Sequence, residues 1–202
     1  MFNFFRRKTQ KRVPLEEQLR VLHECGISLC PGVRADSLLL SFDREALEME
    51  PYLLVLCVMG GEAEDPSLDG GNGYPSDHIW HFDTECIEDH GDYARIATRM
   101  ATLARGELPL AEIRDQVDVE AGSASLTFSL MGNTDRWQAK VDGDWVDPEI
   151  LTRFARLLEA QGTSRRFTYI DLGGQDCLIG CATQAEKDRL ASATGLAVDW
   201  LR

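Results

Sequence analysis

The chain has 202 residues, enough for one sizeable core or two small ones, with 44% hydrophobic and 27% charged residues. Those are ordinary globular values, and they exclude disorder for the bulk of the chain. The net charge is −13, a field that repels nucleic-acid backbones and anionic lipid and attracts basic proteins.

The charge is unevenly placed. Residues 1–12 carry Arg6, Arg7, Lys8, Lys11 and Arg12 without an acid, so the remainder carries −18. Residues 43–92 hold fourteen acids against the single base Arg44. Residues 1–12, with Phe2, Phe4 and Phe5 ahead of the bases, are expected to be a basic flexible tail. The apolar residues precede the bases, the reverse of a secretory signal, and no apolar run is long enough to cross a bilayer. The six cysteines sit in apolar runs such as Leu56-Cys57-Val58, and no CxxC occurs. They are expected to be reduced, mostly buried thiols in a cytoplasmic protein.

In chain order, a helix is expected from Pro14 to Cys25, with Leu15, Leu19 and Leu22 on one face and Gly26 as its stop. Arg44–Met59 reads as a helix interrupted at Pro51. Gly60–Asp77, with five glycines, two prolines and five acids, reads as a long loop. His78–Asp83 reads as a strand. Asp92–Arg105 has the clearest helical stripe, in Tyr93, Ile96, Ala97, Met100 and Ala104. Three strands follow, at 113–119, 123–130 and 136–141. In the middle one Leu126, Phe128 and Leu130 alternate with Ser125, Thr127 and Ser129, the pattern of an antiparallel strand with one wet face. Asp147-Pro148 opens a helix to Ala160. Strands at 167–171 and 177–182, a capping box at Thr183 and Glu186, a helix to Gly195 and a closing strand at 196–201 complete the chain.

The fold class expected is therefore α+β, mainly antiparallel, ordered βββαββαβ in the C-terminal half with helices packed on one face. The chain divides into a tail (1–12), a helix-rich acidic part (13–106) and an α+β part (107–202) that forms one unit with it.

Three of the four histidines, His78, His81 and His90, lie among carboxylates, and a metal site or metal-dependent hydrolase would draw on such residues. They match no established ligand spacing. Cys86 with His90 would need a thiolate, which surrounding acids oppose. No GxSxG or phosphate-binding loop is present. The leading reading assigns no catalytic residue, metal or cofactor. It places partner binding on the exposed-looking acids Glu62, Glu64, Asp65, Asp69, Asp83, Glu85, Glu88 and Asp89. Trp145 is included as an anchor, since Trp is enriched at binding hot spots.

In size, acidity and style, through Glu62–Asp92 with His78-Ile79-Trp80-His81-Phe82-Asp83, Gly143-Asp144-Trp145-Val146-Asp147 and Gly173-Gly174-Gln175-Asp176, the chain resembles bacterial immunity proteins. These neutralise polymorphic or type VI secreted toxins. The resemblance implies tight stoichiometric binding of a basic toxin, and it transfers no functional residue. Two further readings remain: the metal-dependent one above, and an assembly component of a larger bacterial complex.

Overall fold

The computed structural model describes residues 12–64, 68 and 72–202. Of the tail only Arg12 falls within them, and the candidate residues Asp65 and Asp69 lie outside.

The N-terminal part supplies α1 (Leu15–Glu24), a 3-10 turn (Ala35–Leu40), α2 (Arg44–Met49) and α3 (Leu53–Gly60). Asp43 caps α2 by accepting the N–H of Ala46 at 2.8 Å. Pro51 separates α2 from α3, as its missing N–H and fixed ring require. Tyr52, at the start of α3, has φ of 68°, a conformation costly for a bulky residue. The buried Gln18 side chain supports it, accepting the Tyr52 N–H at 2.6 Å while donating to the carbonyls of Val13 and Leu47.

The acidic loop contains a short ribbon of β1 (Ala63–Glu64) and β2 (Asn72–Gly73). After it come β3 (Ile79–Asp83) and α4 (Asp92–Leu103), then the meander β4 (Leu110–Asp118), β5 (Ser123–Leu130) and β6 (Asn133–Ala139). The chain closes with α5 (Pro148–Ala160), β7 (Arg166–Asp171), β8 (Asp176–Ala182), α6 (Gln184–Thr194) and β9 (Asp199–Trp200). The molecule is α+β with antiparallel sheets, and the order βββαββαβ holds from β4 onward.

The strands form two main sheets. The meander is β4-β5-β6, and a second sheet runs β3-β8-β7-β9. Only the meander has helices on a single face. On β5, Ala124, Leu126, Phe128 and Leu130 turn inward, while Thr127 and Ser129 lie on the partly wet face. The four-stranded sheet is covered on both faces, because β3 reaches across from the N-terminal part to pair with β8, Asp83 opposite Asp176.

Each face of that sheet has its own core. Ile79, Ile170 and Leu178 meet α1, α3 and α6 through Leu15, Leu22, Leu56 and Leu190. Trp80, Phe82, Phe167 and Ile179 meet α4, α5 and the meander through Tyr93, Met100, Phe128 and Phe154. Close approach on the first face needs glycine: a Cβ on Gly60 would sit 2.6 Å from the His81 nitrogen. On the second face α4 is tied to β3 by buried Arg99. Its guanidinium lies 3.8 Å from the Tyr74 ring centre and donates to the carbonyls of Ser76 and Ile79, each at 2.6 Å.

Candidate functional site

The three clustered histidines diverge. His78 Nδ1 accepts the Ser28 N–H at 3.0 Å, and burial pushes its imidazole down to about 4, so it is neutral near pH 7. His81 faces Asp176 at 3.4 Å, and His90 Nδ1 accepts the Val117 N–H at 3.0 Å. Among the described residues no group of three His, Cys, Asp or Glu side chains is arranged to hold a metal ion. All six cysteines are free thiols, with Cys25, Cys177 and Cys181 buried and Cys30, Cys57 and Cys86 half-buried. Burial raises Cys57 and Cys86 to about 11 and Cys177 and Cys181 to about 12, which keeps these four protonated.

The acids and Trp145, in contrast, converge. After β3 the chain runs beside the loop that follows β6. The Val146 N–H donates to the Thr84 carbonyl and the Ile87 N–H to the Asp144 carbonyl, both at 2.8 Å, and Glu85 forms an antiparallel bridge with Trp145. Sixty residues apart in sequence, Glu85 and Trp145 are thus direct neighbours. Trp145 is 43% exposed, the only tryptophan among the exposed large hydrophobic side chains of the described residues. Asp83, Glu85, Glu88 and Asp89 are exposed in the segment that pairs with it, and Asp142 and Asp144 are exposed in its own turn. The rim is shaped by side-chain carboxylates that hold its backbone: Asp92 accepts the N–H groups of Glu88 and Asp89 at 2.8 and 2.9 Å, and Asp83 accepts that of Glu85 at 2.9 Å.

Two concavities flank the rim. One, of about 820 Å³, is lined by Thr84, Asp142, Trp145, Glu149, Tyr169 and Trp200. Its aromatic walls suit an apolar stem; Lys140 and Arg202 line it as well, and Glu149 is paired with Arg153 and Arg156 at 3.7 and 3.1 Å, which leaves Asp142 at its mouth to meet a positive charge. The other, of about 350 Å³, is lined by Glu62, Tyr74, His81, Asp83 and Arg95. It brings Glu62 of the acidic loop to the same side as Asp83. Glu62 accepts the Tyr74 hydroxyl at 2.9 Å, and Glu64 is exposed on β1.

The chain matches no protein-family model, no curated protein and no solved structure. Its chemistry must be read from its own residues.

Two kinds of residue escaped the sequence reading. Tyr169 and Trp200 line the larger groove, yet both sit in strand patterns that announce only core. Asp115 resembles the other surface acids, but its carboxylate accepts the N–H groups of Gly91 and Ala94 at 2.7 and 3.1 Å and so caps α4 from β4. Asp147 behaves as its sequence context says: it caps α5 through the Glu149 N–H at 3.0 Å. Its other oxygen accepts the Lys140 N–H at 2.8 Å. Among the described residues no helix is long and apolar enough to cross a membrane.

Proposed function

We propose that this chain is a non-enzymatic cytoplasmic binding protein whose acidic rim around Trp145 receives a basic protein. The observation that carries this reading is the bridge between Glu85 and Trp145, which sets a large exposed aromatic among six exposed carboxylates at the mouth of an aromatic groove. A Lys or Arg of the partner would lay its aliphatic stem along Trp145 and Trp200 and its charge against Asp142. The surrounding acids would speed encounter with a positive partner and disfavour acidic ones. The resemblance to immunity proteins specifies that partner further, as a toxin held in a stoichiometric complex.

The test is partner isolation from the native cell with the tagged full chain at low salt. A basic partner should be retained by wild type, released as the Debye length shrinks from about 10 Å at 0.1 M to about 3 Å at 1 M salt, and lost from Trp145→Ala. A partner that is acidic, or indifferent to salt and to Trp145, contradicts the reading. The toxin assignment has its own test: the protein encoded beside this gene should kill cells unless this chain is co-expressed, and harmless expression refutes it.

A further inference from the structure

Four strands end the two main sheets, and three of those edges are closed. β4 is kinked by a register shift between Ala111 and Arg114, and its Val117 N–H is held by His90 at 3.0 Å. At β3 the Ile79 carbonyl is taken by Arg99 at 2.6 Å, and Gly60 packs close to the His81 nitrogen. β9 is only two residues long. Such devices keep a sheet edge from pairing with another chain. β6 has none of them. All seven of its residues pair with β5 in one register, and five of them are exposed.

The hairpin that starts β6 fixes which backbone groups face out. Met131 and Gly132 have φ of 51 and 85°, a two-residue turn that makes Leu130 and Asn133 a hydrogen-bonded pair. Alternation then turns the backbone groups of Asp135 and Trp137 to β5 and those of Thr134, Arg136 and Gln138 outward. Two side chains agree with this alternation. Arg153 Nη1 donates to the Gln138 carbonyl at 3.2 Å, and Asp147 holds the next outward group, the Lys140 N–H, at 2.8 Å. Among the described residues no other hydrogen bond takes the outward N–H groups of Thr134, Arg136 and Gln138 or the carbonyls of Thr134 and Arg136. The side chains set what fits beside this edge. Asp135 is exposed, and among the described residues its carboxylate has no ion-pair partner. On the same face Trp137 is half-buried against Phe128 and Phe154, with Arg153 6.0 Å from its ring centre. A base is therefore attracted opposite Asp135, whereas opposite Trp137 it would meet Arg153, and an apolar residue fits there instead. On the other face Arg136 reaches back over β5 to Ser125 and Gln116 at 3.2 and 3.4 Å, which leaves neutral polar residues to face it.

We infer that the outer edge of β6 accepts an extended segment of another protein as a fourth, antiparallel strand of the meander, with a basic residue opposite Asp135 and an apolar one opposite Trp137. Backbone hydrogen bonds to Thr134, Arg136 and Gln138 hold the added strand, and the two side-chain matches set its register. A second copy of this chain does not fit the edge. A two-fold centred on Arg136 or on Asp135 sets like charges directly opposite. One centred on Trp137 needs the Gln138 carbonyl and the Lys140 N–H, which Arg153 and Asp147 already hold, and one centred on Thr134 runs into the turn. This edge is separate from the Trp145 rim, and its role does not rest on the rim's.

The probe is a capped peptide, Ser-Thr-Phe-Thr-Lys-Thr-Ser, which in antiparallel register sets its Phe opposite Trp137 and its Lys opposite Asp135. Amide hydrogen exchange of the full chain is followed by NMR at millimolar peptide. The amides of Thr134, Arg136 and Gln138 should slow at least about fivefold, and those of Asp135 and Trp137, already bonded to β5, less than about twofold. Replacing the peptide's Lys by Glu should remove most of the protection, and Asp135→Lys should restore it for that Glu peptide. Arg136→Pro deletes an outward N–H without removing a bond to β5, and it should abolish protection at Thr134 and Gln138. Should that variant not fold, the Asp135→Lys exchange carries the test alone. Trp145→Ala should leave the protection intact, so the edge and the rim fail separately. No slowing at the three outward amides overturns the inference, as does equal slowing of outward and inward amides or protection that survives Arg136→Pro. Equal protection by the Lys and Glu peptides overturns it too. Protection without peptide that rises with protein concentration, alongside a dimer in sedimentation, also overturns it, because the occupant would then be a second copy. So does loss of protection in Trp145→Ala, which would make the peptide a ligand of the rim.

Discussion

On one face of the four-stranded sheet, Trp80, Phe82 and Phe167 meet α4, α5 and the meander through large aromatic side chains. On the other, Ile79, Ile170 and Leu178 meet helices joined to one another at buried polar residues, Gln18 and Glu48. The aromatic face holds mainly by area and shape, with Trp137 edge-on to Phe128 at 4.8 Å and packed on Phe154 at 4.9 Å, and buried Arg99 is its polar tie between α4 and β3. The aliphatic face adds to its contacts the hydrogen bonds of buried Gln18 and Glu48. The aromatic core includes Ile87 and Val146, which flank the Glu85–Trp145 bridge, whereas on the other face Arg12 is held by Glu48.

This contrast can be broken by substitution. Phe154 is fully buried among Phe128 and Trp137. Phe154→Ala should cost about 4 kcal/mol in urea denaturation, the sum of lost transfer energy and a cavity. A cost below about 1 kcal/mol would mean that the aromatic layer does not bear the load assigned to it.

Gln18→Leu keeps the volume but strands the carbonyls of Val13 and Leu47 and the Tyr52 N–H. It should cost about 2 kcal/mol. Amide exchange should accelerate first in α1, α2 and α3, with the meander unchanged. Uniform acceleration across both faces would erase the distinction between them.

The third expected effect is a pH dependence. The unfolded His78 imidazole takes a proton near pH 6.5, whereas in the folded chain burial delays protonation to about 4. Between those values the unfolded state holds the extra proton, so stability falls as pH drops through that window. His78→Asn retains an acceptor for the Ser28 N–H without the titration. Its melting temperature should fall less than wild type between pH 7 and 5. Parallel curves would place the acid sensitivity elsewhere.

How much of this was legible in the sequence depends on the range of the interaction. The Asp147 cap, the Thr183–Glu186 box and the alternation along β5 are local patterns, and the first two are found where the sequence puts them; the third holds except at Ser125, which is buried where a wet-face serine was expected. The partition into two sheets was not legible. The pairing of β3 with β8 joins residues nearly a hundred positions apart, and Ile79–Asp83 carries no mark of its partner. The closing strand expected over 196–201 shortens to Asp199–Trp200, because β9 pairs only with Thr168 and Tyr169 of β7. At the candidate site, acids and Trp145 could be named separately from charge and residue type. Their juxtaposition depends on the Glu85–Trp145 bridge, which composition cannot reveal.

Trp145→Ala should have the smallest effect on stability, below about 1 kcal/mol in urea denaturation, because the ring is 43% exposed. A larger loss would make Trp145 a packing residue of the aromatic face.

The most direct measurement compares charge-reversed forms in partner isolation from the native cell. Glu85→Lys/Glu88→Lys/Asp89→Lys reverses three exposed acids beside Trp145, and Glu107→Lys/Glu120→Lys/Asp188→Lys reverses three exposed acids elsewhere. Both change net charge equally. The rim variant should retain less than a tenth of the basic partner recovered by wild type at 0.1 M salt, and the control variant most of it. Equal recovery by the two variants would show that the acidic rim is only a solvated face.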